Sequence, residues 1–129
     1  MLKINTLRDA MTDACAWCRA NPEKFTVYVN NGGIETTGES PSYLYRYTLG
    51  IFVMDFTQDL DELMVPLMRW LYRNQPDLLL NPEKNRDIKF SVAINDDDST
   101  DILLEIPVWE RVIIRRNDDG TVHAEHIGE

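Results

Sequence analysis

The stretch IKFSVAINDDDSTDILLEIPV, residues 88–108, decides the fold. Ile88, Phe90, Val92 and Ile94 alternate with Lys89, Ser91 and Asn95. After a polar turn from Asn95 to Thr100, Ile102, Leu104, Ile106 and Val108 repeat the alternation. A period of two puts each apolar set on one face of a strand, so the segment reads as a hairpin, the unit of an antiparallel sheet. The second strand is expected to run on through Val112 and Ile114. Asn117-Asp118-Asp119-Gly120 then turns the chain into a last short strand, Thr121 to Ile127.

Upstream, Tyr43 to Met54 is a long β-rich run with Tyr45, Tyr47, Leu49, Ile51 and Val53 on one face and Leu44, Phe52 and Met54 on the other. Two apolar faces predict a central strand or an interface. Phe25, Val27 and Val29 alternate ahead of Asn30-Asn31-Gly32-Gly33, which reads as a strand closed by a turn, with Ile34 to Ser42 as loop. Two segments change to helical period. From Asn5 to Asn21, Leu7, Ala10, Met11, Ala14, Trp17 and Cys18 share one face, with Asn5 or Thr6 as cap and Pro22 as stop. From about Asp59 to Asn74, Leu60, Leu63, Met64, Leu67, Trp70 and Leu71 do the same. Pro66 interrupts that helix unless its start lies later. Residues 74–87 read as a polar connection. The expected fold is α+β, in the order α-β-β-α-β-β-β: a mostly antiparallel twisted sheet with two helices packed on one face.

At 129 residues the chain has room for one core, so residues 1–129 are read as a single domain. With 22 Asp and Glu against 13 Lys and Arg, the net charge is -9. Such a surface repels a phosphate backbone and an anionic bilayer, which argues against specific nucleic-acid or membrane binding. Arg8 and Asp9 fall where an export signal would need an unbroken apolar run, and apolar stretches of a few residues are far short of the ~20 of a spanning helix. A cytoplasm-like compartment is therefore expected, in keeping with only two cysteines.

The chemical motifs are weak. Cys15-Ala16-Trp17-Cys18 is a CxxC placed inside a helix, where the dipole does not activate its first thiol, and no second Cys or His pair completes a zinc site. His123 and His126, three apart on a strand, point to opposite faces and cannot share a metal ion; each reads as a solvated edge residue. Asp96-Asp97-Asp98 resembles the start of a calcium loop but lacks the Gly and the terminal Glu of that register. Asp55, Asp59, Asp61 and Glu62 offer carboxylates for a small acidic hydrolase, although helix capping accounts for Asp59 to Glu62. No cofactor or metal site emerges. The charge pattern itself is more suggestive. Asp96, Asp97 and Asp98 crowd one hairpin end, whereas Arg111, Arg115 and Arg116 lie far along the returning strand. These six residues are candidates for a head-to-tail subunit interface.

Arg46-Tyr47-Thr48-Leu49, Asp55-Phe56-Thr57, Asp59, Leu63, Val65-Pro66, Trp70-Leu71 and Asn74-Gln75-Pro76-Asp77 follow one another in an order that resembles the tail completion protein R family of P2-like bacteriophages. The similarity extends to Met1-Leu2-Lys3, Leu7-Arg8, Thr12-Asp13-Ala14 and Asn21-Pro22 on one side, and to Asp101-Ile102 and Glu110-Arg111 on the other. The resemblance implies a virion structural protein of a contractile-tailed phage or prophage, assembled in the host cytoplasm, that finishes the tail so that it can join the head. It implies no enzyme activity and no cofactor. The implied partners are tail proteins: tube, sheath or another completion protein. It also suggests kinship with tail-terminator proteins, and hence a tail-terminator-like fold able to form a homo-oligomeric ring. Family members can continue into a Pro-rich C-terminal extension, whereas this sequence ends at Gly128-Glu129. The competing readings are the acidic hydrolase and a phage-derived adaptor domain. An acidic surface suits a protein on the route of DNA, because a polyanion slides past without sticking.

Overall fold

The computed structural model describes residues 2–127; Met1 and the terminal Gly128 and Glu129 lie outside the described residues. Five antiparallel strands form one sheet: β1 (Phe25–Thr36), β2 (Tyr43–Phe56), β3 (Lys89–Ile94), β4 (Thr100–Arg116) and β5 (Val122–Ile127). The order is β1-β2-β4-β3, with β5 also paired to β4. β3 lies along the first part of β4, Lys89 opposite Glu105, and β5 along the last, Ile127 opposite Arg111. The expected central strand is β2, between β1 and β4.

The apolar alternation sets the register. Val27, Ile51 and Leu104 lie side by side across three strands, as do Val29, Leu49 and Ile106, and these positions face the helices. Among the described residues the α-helices are α1 (Leu2–Ala14), α2 (Ala16–Ala20), α3 (Asp61–Asn74) and α4 (Pro76–Leu80). Leu63, Leu67, Trp70 and Leu71 of α3 join Leu7 and Met11 of α1 and Leu49, Ile51 and Val53 of β2 in one buried cluster. Glu62 and Asp61 sit in the first turn of α3 and Arg73 in its last, matching the macrodipole. Pro66 lies inside α3, which starts at Asp61, two residues later than the periodicity suggests.

Three local expectations differ from the structure. The first helix breaks at Cys15, whose backbone is extended (φ -106, ψ 106) and whose Sγ accepts the Cys18 amide at 3.4 Å, capping α2. The break turns Trp17 onto Phe56, edge to face at 4.9 Å. Asn30 to Gly33 is a bulge inside β1, with Asn31 left-handed at φ 52 and the register slipping between Asn30 and Gly32. A Cβ on Gly32 would come within 3.1 Å of Tyr47 Cβ and 3.2 Å of the Arg46 carbonyl, so the close approach of β1 to β2 favours glycine there. The strand therefore continues to Thr36, into the expected loop. Residues 74–87 hold α4, with Gln75 and Leu78 fully buried, and are not merely a polar link. The helices also leave β3 bare: Phe90, Val92 and Ile94 are 62%, 45% and 83% exposed.

Candidate interaction surfaces

The acidic turn closes the β3–β4 hairpin. Asp96, Asp97 and Asp98 are all exposed, and Asp98 adopts φ 64, a left-handed conformation that Asp tolerates. The turn is internally braced. Asp97 accepts from the Ser99 hydroxyl and backbone N–H, which together hold its carboxyl below the usual range. Asn95 donates to Ser99 Oγ (3.0 Å), Asp101 Oδ1 (3.1 Å) and Asp55 Oδ1 (3.4 Å). The Asp55 backbone N–H and the Asn95 amide likewise lower Asp101. Lys24 reaches Asp55 at 3.6 Å. Asp55 is thus tied down at the end of β2, while Asp61 and Glu62 belong to the first turn of α3. Among the described residues no group of His, Cys, Asp and Glu is arranged to hold a metal ion.

The basic end lies at the other end of β4. Arg111 and Arg115 share the helix-free face by strand alternation, and Arg116 points to the other side. Arg115 is engaged by Glu125 on β5, so the three arginines are not equally free. Arg111 instead lines a cleft of about 440 Å³ with Arg46, Glu35, Tyr43 and Trp109. Arg46 bonds Glu35 at 2.5 Å and stands 5.7 Å from the Trp109 ring, against which Lys84 also lies at 4.8 Å. The acidic and basic clusters, separated by the length of β4, do not meet within the chain.

A buried polar seam was missed from sequence. Glu110, 2% exposed, accepts from Tyr47 Oη and, at 2.9 Å, from the Leu2 amide; His126 Nδ1 lies 3.4 Å away. Burial first, and then the bond to Glu110, pushes the Tyr47 hydroxyl pKa upward, so it stays a proton donor. Lys3 donates to the Asn74 carbonyl at 2.8 Å and to Gln75 Oε1, which also accepts from the Trp109 amide at 3.4 Å. These groups close the stretch of β4 left between β3 and β5. Glu110 had a signal: it is the one acid in the apolar register from Ile102 to Val112. His126, exposed on edge strand β5 as expected, also lies beside Glu110 and stacks on Tyr45 at 6.4 Å between ring centres. His123, on the opposite face, contacts Asn117 Oδ1 at 2.6 Å. Cys15 and Cys18 are free thiols, both 1% exposed, and burial, with the Cys15 contact, raises the Cys18 pKa, which suits core packing and not thiolate chemistry. No helix of the described residues is long and apolar enough to cross a membrane.

These features define an α+β protein whose buried polar groups serve its own architecture and whose distinctive surface consists of charged strand ends and sheet edges. The chain belongs to the P2 phage tail completion protein R family, whose model matches residues 1–129. It is similar to tail completion protein R of Escherichia phage P2, at 40% identity over 131 residues that cover 100% of this chain and 84% of that protein. No solved structure matches it.

Proposed function

We propose that this chain is a virion structural protein that completes a contractile phage tail so that the tail can join a head. It acts as one domain over residues 1–129, through protein contacts at the tail end and without catalysis or cofactor. The observation that carries this reading is the family match along the whole chain. Its partners are tube, sheath or another completion protein, met in the cytoplasm of a host carrying the phage or prophage. The experiment is deletion of the gene followed by electron microscopy of the lysate. Defective tails and separate, DNA-filled heads are expected; normal infectious particles would refute the role.

In the same reading the acidic turn of one subunit faces the arginines of the next in a head-to-tail ring on the tail end, as a tail terminator would form. Asp96, Asp97 and Asp98 and Arg111, Arg115 and Arg116 stand at opposite ends of β4, as such a heterologous contact requires. Arg111→Glu combined with Arg116→Glu should reduce the yield of completed tails, and Asp97→Lys in the same chain should restore part of it. An unchanged yield from the arginine pair would remove this contact.

A further inference from the structure

We propose that the free edge of β3 binds a second copy of this chain, edge to edge and antiparallel, so that two sheets become one. Among the described residues β3 pairs only with β4, and its other side carries no strand. Its three large apolar side chains, Phe90, Val92 and Ile94, lie on the helix-bearing face yet no helix covers them.

The two outer edges of the sheet differ in protection. Edge strands are normally guarded by a bulge, a charge or a covering group, because their unpaired backbone is a template for another strand. β1 has such guards: the Asn31 bulge, and Arg8, whose guanidinium bonds the Val27 carbonyl at 3.2 Å. β3 has neither bulge nor any charge between Lys89 and Asp96.

Charge then selects the occupant. Before and at the start of β3 stand Lys84, Arg86 and Lys89 against the single acid Asp87, a net +2 over residues 84–89; after it stand Asp96, Asp97 and Asp98, a net -3. Neither Arg86 nor Lys89 makes an ion pair among the described residues. A strand positive at one end and negative at the other pairs favourably with a copy of itself only when antiparallel. The apolar pattern fits the same arrangement, because opposite residues of an antiparallel pair share a face. Centring the two-fold axis on Val92 sets Val92 against Val92 of the second copy, Phe90 against its Ile94, and Lys89 beside its acidic turn. The contact is isologous and closes at two copies. It draws on the same acidic turn as the head-to-tail contact, so the two are alternative uses of that turn, and it does not depend on the role in the tail.

The test uses the purified full chain. Analytical ultracentrifugation should show a dimer that Val92→Lys converts to monomer without loss of the folded circular-dichroism spectrum, since Val92 already lies in solvent in the single chain. Lys89→Glu should weaken the dimer, and Asp96→Lys added to it should strengthen it again. Under mild oxidation Val92→Cys should form a disulfide-linked dimer, with Cys15 and Cys18 shielded in the core. A wild-type chain that stays monomeric while Val92→Cys fails to cross-link overturns the proposal, and so does a dimer that survives Val92→Lys. Either result leaves the deletion phenotype as a separate question.

Discussion

Trp70→Ala is expected to lower the free energy of unfolding by about 3–5 kcal/mol, the range for removing a large aromatic from a close-packed core. Trp70 is 4% exposed and belongs to the same buried cluster as Leu7, Met11 and Leu49. It also ties the two long helices together, since its indole N–H donates to Thr6 Oγ1 on α1 at 3.1 Å. The alanine variant therefore leaves a cavity where α1, α3 and the sheet meet, together with a half-buried hydroxyl short of a donor. Trp70→Phe, which keeps most of the volume and loses only the N–H, should cost much less. Urea titration of the two variants separates these contributions. An unchanged midpoint for Trp70→Ala would mean that α3 does not clamp the core as described.

Glu110→Ala should cost about 2–4 kcal/mol for a different reason. Truncation leaves the buried Tyr47 hydroxyl without its acceptor, and a buried donor left unsatisfied costs about 1–3 kcal/mol; the part-buried Leu2 amide also loses its bond. If that is the cause, Tyr47→Phe in the Glu110→Ala background should be less damaging than Tyr47→Phe alone, because the hydroxyl it removes is by then a liability. The coupling in this double-mutant cycle is expected at about 0.5–3 kcal/mol. Additive effects would show that the Tyr47–Glu110 bond contributes nothing of its own. Glu110 also holds His126, so β5 amides should exchange with solvent faster in Glu110→Ala than in wild type.

These two residues differ in how visible they are in the sequence. Trp70 falls on the apolar stripe with Leu63, Leu67 and Leu71, and a period of 3.6 is enough to place it inward. Glu110 breaks an otherwise apolar register, which marks it as unusual but names none of its partners. Tyr47 is 63 residues away in the chain and Leu2 is 108, and no local pattern links positions so far apart. The charged clusters behave in the same way. Their separation along one strand follows from counting residues, whereas the capture of Arg115 by Glu125 depends on how β5 folds back.

Local periodicity by itself determined the α+β class, the long central strand, the hairpin from Ile88 to Val108 and the inner faces of both main helices, because alternation and helical spacing are properties of neighbours in the chain. The ordered residues from Arg46 to Asp77 were likewise enough to point to the phage tail family. Tertiary structure alone decided the rest. It made Asn30 to Gly33 a bulge, since only the approach of Tyr47 shows how little room a side chain at Gly32 would have. It buried Gln75 and Leu78 in a segment of polar composition, because the unpaired stretch of β4 needs a cover. It left Phe90, Val92 and Ile94 bare although they alternate cleanly with polar residues. Alternation states that a strand has an apolar face, but the number and placement of the helices decide whether the chain itself covers that face.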